Sequence, residues 1–210
     1  MELSNYLFIR NQLPSHVNLL AVSKGFQIKD ILLVYDQGQR DFGESKFQEA
    51  YDKQIVLNDN KNINWHFIGR IQSNKIRKIV QNFNYIHSVD SYEKLSKISA
   101  ISYEEKKNPS IMLQIKLRED PTKGGFEYEA LFAQWEKIKQ LKNITIRGLM
   151  TINPKGLSSS ENIRLFQKCR NAADLLQLHD CSMGMSGDWK EAVKAGSTWV
   201  RIGSTIFGER

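Results

Sequence analysis

Leu19-Leu20-Ala21-Val22-Ser23-Lys24, followed at once by Gly25, is the stretch from which the fold is read. A short apolar run bounded by glycine predicts a fully buried strand. Its last residue is out of character, because an unpaired ammonium is costly to bury. Two readings follow. Lys24 snorkels to solvent on its aliphatic stem, or its amine is held at a pocket floor and serves as a nucleophile.

Upstream, residues 2–13 predict a helix that Pro14 stops, and the strand itself covers 18–23. Downstream, helices are expected over 28–35, 44–56, 73–80, 91–103, 127–141, 161–178 and 188–195. They alternate with strands over 41–43, 65–69, 85–89, 111–117, 144–151, 180–185 and 198–203. Ser73 is expected to cap its helix, and 118–126 and 153–160 to be loops. Strand and helix thus alternate eight times, which implies a parallel sheet covered by helices. Eight repeats allow closure into an α/β fold of the (β/α)8 TIM barrel type, with 1–210 as a single domain. A doubly wound sheet has the same local pattern, so the barrel rests on the count, and the count on the short strand at 41–43.

The chain has 210 residues, 25% charged and 40% hydrophobic, which is an ordinary globular balance. No apolar run approaches a membrane span, and residues 1–10 lack a signal-peptide core, so a soluble cytoplasmic protein without a membrane partner is expected. Cys169 and Cys181 stand at no metal-ligand spacing and are expected as small buried hydrophobes, with no metal site. Lys plus Arg number 30 against 23 Asp plus Glu, which favours anionic partners. The excess is spread out. Its densest run, Lys75-Ile76-Arg77-Lys78, reads as an exposed helix face. Without interleaved aromatics or a recognition motif, nucleic acid is not expected as a partner.

In a barrel, Lys24 stands at the carboxyl end of the first strand, on the rim where barrel enzymes place reacting groups. Low-dielectric walls and neighbouring cations there would lower an amine pKa and free it to attack a carbonyl. A second signal is Ser182-Met183-Gly184-Met185-Ser186-Gly187-Asp188-Trp189. Ser186 and Gly187 precede a helix start, where free amides favour an anion, although Ser186 or Asp188 as a plain cap explains the same residues. A third is Arg201-Ile202-Gly203-Ser204 at the end of the last strand. Gly203 allows close backbone approach, and Ser204 can bind a phosphate. Barrels frequently bind phosphate with the loops after strands seven and eight. Arg201 shares a strand face with Gly203 and is expected to point inward, toward a ligand ring or into a buried ion pair. An amine nucleophile and a phosphate cup in one mouth point to pyridoxal phosphate, with a phosphosugar Schiff-base aldolase as competitor.

At these residues the chain resembles the YggS/PROSC family of pyridoxal-phosphate homeostasis proteins, which share the alanine racemase N-terminal domain-like barrel. The matching segments are LLAVSK (19–24), FGES (42–45), WHFIGRIQSNK (65–75), IHSVD (86–90), TKGGF (122–126), GLMTI (148–152) and SMGMSGDWKEAVKAGSTWVRIGSTIFGER (182–210). The resemblance implies that Lys24 forms an aldimine with pyridoxal 5'-phosphate. It implies that Ser186, Gly203 and Ser204 bind the phosphate, that Arg201 meets the pyridine nitrogen, and that Met183 lines the cofactor. Lys123 matches a second lysine in an exposed loop. His66, Asn74 and His87 match motifs near the barrel mouth. Ser45 stands where the family has Asn, and Arg70 where it has Pro.

An arginine on the ring nitrogen keeps that nitrogen unprotonated and the ring a weaker electron sink. A racemase also needs a second base opposite the lysine, which the racemase relatives take from an added β domain and a partner subunit. The chain ends seven residues after Gly203, and of its tyrosines only Tyr85 falls near a strand end. The expectation is a non-catalytic, monomeric carrier that holds the cofactor and releases it to pyridoxal-phosphate-dependent apoenzymes. The alternative is a low-activity racemase or lyase.

Overall fold

Strands buried on both faces, separated by amphipathic helices, are accommodated by a closed ring inside a shell of helices. The computed structural model has that ring and describes residues 3–58, 62–120 and 123–208. Met1, Glu2, Pro121, Thr122, Glu209 and Arg210, on which sequence expectations fell, lie outside the described residues. The ring is built from β1 (Asn18–Val22), β2 (Asp41–Glu44), β3 (Asn64–Phe67), β4 (Tyr85–Val89), β5 (Ser110–Lys116), β7 (Thr145–Met150), β8 (Asp180–Ser182) and β9 (Trp199–Ile202). The sheet order is β4-β3-β2-β1-β9-β8-β7-β5, all parallel, and β4 pairs with β5 to close it. A two-residue strand, β6 (Phe126–Glu127), pairs with β5 where a loop was expected. The short strand at 41 is real and central to the ring, so the (β/α)8 barrel stands.

The helices are α1 (Leu3–Gln12), α2 (Ile28–Tyr35), α3 (Phe47–Val56), α4 (Ile76–Asn82), α5 (Tyr92–Glu104), α6 (Tyr128–Lys139), α7 (Ser159–Leu175), α8 (Trp189–Lys194) and α9 (Ser204–Phe207). Differences from expectation have local causes. Glu44 is drawn into β2 opposite Phe67, so α3 starts later than residue 44. Ser73 lies within a 3₁₀ turn before α4 and caps nothing. Ser158 and Glu161 close a capping box that starts α7 early. The amide and hydroxyl of Ser158, with Arg118, hold the Glu161 carboxyl down at about 2. The strand expected to run to 185 stops at Ser182, because Gly184 turns the chain at φ +87.

Side chains on each strand alternate between an outer apolar layer and the barrel interior. Leu19 and Ala21 face outward, into the layer shared with Ile9, Ile31 and Val34 of the helices. Leu20, Met112, Met150 and Trp199 form the apolar part of the barrel interior. Cys169 and Cys181 are buried and free. No described helix is long and apolar enough to cross a membrane.

Candidate functional site

All ring strands are parallel, so their carboxyl ends share one rim. Lys24 follows Leu20 and Val22 at two-residue steps and is thereby aimed into the mouth. It opens on a cavity of about 370 Å³, within the roughly 300–1,000 Å³ of small-molecule sites. Arg201, Ser186, Gly187, Gly203 and Ser204 share its wall with Val22, Ile68, Met150, Ile152 and Met185. A groove of about 420 Å³ at the opposite rim is lined largely by amides, including Asn64, Asn84 and Asn108.

A buried ion cluster braces the backbone on both sides of Lys24. Ser23 Oγ donates to Glu44 Oε1 at 2.7 Å. Lys53 Nζ reaches Glu44 Oε1 and Glu49 Oε1 at 2.7 Å each, and the Ser23 carbonyl at 2.8 Å. The Gly25 amide donates to the same Glu49 oxygen. Burial pushes the Glu44 carboxyl up despite Lys53. For Glu49, burial also pushes upward, but the bonds from Lys53 and Gly25 outweigh it and the net shift is down.

The two phosphate-loop candidates meet. The Thr205 amide, in the first turn of α9, lies 3.4 Å from Ser186 Oγ. A Cβ on Gly203 would stand 3.1 Å from the Val22 carbonyl, so a side chain there would crowd β1. Arg201 is 4% exposed. Its Nη1 donates to Ser182 O at 2.6 Å and Ser182 Oγ at 2.8 Å, and its Nη2 to Thr151 O at 2.9 Å. Among the described residues no carboxylate lies within 4 Å, so the alternative of a buried ion pair is not what holds it. Nε–H and one Nη2–H remain for a ligand. Burial lowers the guanidinium only to about 10, so it stays charged at neutral pH.

Below the cavity the barrel is polar. His66 and His87 are fully buried and 2.9 Å apart. Burial lowers both pKa values, and for His87 His66 and Arg201 lower it further. Unfolded imidazoles take up protons near pH 6.5 while these two resist, so stability falls as pH drops below that value. The expected slope is roughly 1.4 kcal/mol per pH unit for each histidine. Glu44 and Asp188, both raised by burial, oppose this from lower ordinary values, so the histidines set the sign in the upper part of the range. Urea midpoints measured from pH 7 to pH 5 should therefore decrease; a flat or rising profile contradicts this assignment.

Several sequence assignments need correcting. Met183 is buried in the outer core and Met185 lines the cavity instead. Lys123 is half-buried rather than in an exposed loop; its Nζ bonds Asn153 O at 2.6 Å and Asp120 at 3.1 Å, and it borders a neighbouring cavity of about 320 Å³ with Arg70 and Asp90. Asn74 is exposed and lines none of the cavities at this rim. His66 lies inside the barrel against Asp41 at its foot, and Tyr85 starts β4 at that same foot. Asp188 accepts the Met185 amide at 2.7 Å rather than capping α8. Lys53, Glu49 and Ser182 were missed. A lysine and a glutamate four apart on a helix read as a surface pair, and a serine at a strand end carries no signal.

The alanine racemase N-terminal domain matches residues 3–210. Fold and match together define the class, an alanine racemase-type barrel. A pyridoxal phosphate homeostasis protein of Synechocystis is 46% identical over 213 residues, which is 99% of this chain and 98% of that protein. PipY of Synechococcus elongatus, solved without PLP, superposes with a TM-score of 0.97 at 42% identity, over 99% of this chain and 100% of its own. Its PLP-bound form superposes at 0.94, at 42% identity over 98% and 99%. The chain belongs to the family of pyridoxal phosphate homeostasis proteins.

Proposed function

We propose that this chain holds pyridoxal 5'-phosphate in the barrel mouth, with Lys24 as covalent anchor, and serves cofactor homeostasis and transfer without efficient amino-acid turnover. The observation that carries the reading is the cavity itself. One wall bears an inward amine, another a buried arginine with two uncommitted donors, and the rim bears two serine-bearing loops that touch. A planar, phosphate-bearing aldehyde with a ring nitrogen fits that set. When bound it supplies a carbonyl that condenses with an amine, releasing water, and an aromatic ring that draws electrons.

The chain's own groups have separable tasks. Ser186, Ser204 and the amides near Gly203 bind the phosphate. Val22, Ile68, Met150, Ile152 and Met185 exclude water from the ring faces. Arg201 donates to the ring nitrogen, and its charge keeps a proton off that atom. Arg201→Lys, which keeps the charge and loses the fork, is expected to weaken cofactor binding about 10- to 100-fold, or about 1.4–2.8 kcal/mol, in an equilibrium titration. Unchanged affinity would remove Arg201 from the site. Lys123 is kept as a secondary contact on the neighbouring wall.

Among the described residues the cavity is lined by one lysine, one arginine, two serines, two glycines and apolar groups, and similar proteins are pyridoxal phosphate homeostasis proteins, which supports a carrier over a racemase or lyase. We read residues 1–210 as a single-domain, monomeric, cytoplasmic carrier that donates to apoenzymes. Loaded protein should restore activity to a pyridoxal-phosphate-dependent apoenzyme and show no sustained turnover of amino acids. Turnover abolished by Lys24→Ala would sink the carrier reading.

A further inference from the structure

His66 and His87 are fully buried titratable groups for which the cofactor reading has no task. They lie in series with charged groups at both ends. Asp41 Oδ1 is 3.0 Å from His66 Nε2, and His66 Nδ1 is 2.9 Å from His87 Nε2. His87 Nδ1 is 3.0 Å from Ser182 Oγ, which is 2.8 Å from Arg201 Nη1. The line runs through the barrel from its foot, where the Asp41 side chain is 24% exposed, to the cavity wall.

Only one proton arrangement satisfies every member. Arg201 has donors alone, so Ser182 Oγ accepts from it and turns its own hydrogen to His87 Nδ1. His87 is then protonated at Nε2 and donates to His66 Nδ1. His66 is protonated at Nε2 and donates to the Asp41 carboxylate. The opposite direction would set an unprotonated His66 Nε2 against a carboxylate, or require a second proton on an imidazole with no exposure to water. A hydrogen-bond chain that begins on a cation and ends on an anion, each bond pointing the same way, is reinforced along its length in a low-dielectric interior.

We propose that Asp41, His66, His87 and Ser182 form a one-way positioning relay, which holds the Arg201 fork in place for the ring nitrogen and anchors it at the far end of the barrel. None of the first three touches the ligand; each acts through Arg201. This deepens the cofactor reading and rests on it, but its first test does not need the cofactor.

The test is nitrogen-15 NMR of histidine-labelled protein without added cofactor. Both His66 and His87 should be Nε2–H tautomers, with a scalar coupling across the His66–His87 bond. Asp41→Ala removes the terminal acceptor and should mix the tautomers at His87 as well as at His66, while circular dichroism stays that of the wild type. Ser182→Ala, which removes the hydroxyl donor at the other end, should also mix them and serves if Asp41→Ala does not fold. In the second arm, Asp41→Ala loaded with pyridoxal phosphate should shift the absorption maximum from the wild-type position, with borohydride still fixing the cofactor on Lys24. An Nδ1–H tautomer in the wild type overturns the relay, as does a His87 tautomer unmoved by either variant. An unshifted maximum in Asp41→Ala overturns its coupling to the ring. A wild-type protein that takes up no cofactor overturns the cofactor reading instead, with the tautomer arm still deciding the relay.

Discussion

Lys53→Met is expected to lower folding stability by about 3–5 kcal/mol, the usual cost of removing one partner from a buried ion pair. The Lys53 side chain is 7% exposed and that of Glu44 fully buried. Methionine fills much of the stem volume but leaves the Glu44 carboxylate with only the Ser23 hydroxyl. Glu44 Oε2 already has no hydrogen-bond partner, so the site has no reserve of donors. The loss should also reach the cavity, because Lys53 and its partner Glu49 hold Ser23 O and Gly25 N on either side of Lys24. Urea denaturation and cofactor titration should fall together. The double variant Lys53→Met, Glu44→Leu removes both charges and should recover more than half the stability, since replacing a buried pair with apolar groups is often neutral. A single variant within about 0.5 kcal/mol of wild type, the range for an ordinary surface change, would mean that the cluster is solvated in solution.

Lys24→Ala is expected to abolish covalent retention of pyridoxal phosphate and leave the fold standing. Lys24 lies on the cavity wall and not in either apolar layer, so truncation opens no hole in the core. Phosphate and ring contacts remain, and the variant should bind the cofactor reversibly, without the visible absorption of an imine and without retention through gel filtration after borohydride. A Lys24→Ala protein that still retains the cofactor covalently would transfer the anchor to another lysine.

The two outcomes depend on layers of structure that are unequally legible in the sequence. The barrel could be read because its signals are local. Apolar runs, glycine and proline breaks and helical spacing repeat eight times, and two-residue alternation places Leu20, Val22 and Lys24 on one face. The inward aim of Arg201 follows from the same rule. Met183 and Met185 show where the rule fails. Alternation from the inward Ser182 puts Met183 and Met185 both on the outer side. Met183 is there, but Gly184 turns the chain at positive φ and brings Met185 to the cavity, so the resemblance pointed to the wrong methionine. Lys53 escapes notice and Lys123 is misread for a different reason. Each is buried by partners distant in sequence, Ser23 and Glu44 for one and Asn153 for the other. His66 and His87 belong to motifs that could be quoted but not interpreted, since their meaning is a bond to each other across 21 residues.

The central claim is that Lys24 anchors pyridoxal phosphate. The measurement that tests it most directly is borohydride reduction of the protein equilibrated with the cofactor, followed by digestion and peptide mass mapping. The account predicts a single reduced adduct, on the peptide that carries Lys24. An adduct on Lys123, a scatter over surface lysines, or no adduct at all would contradict it.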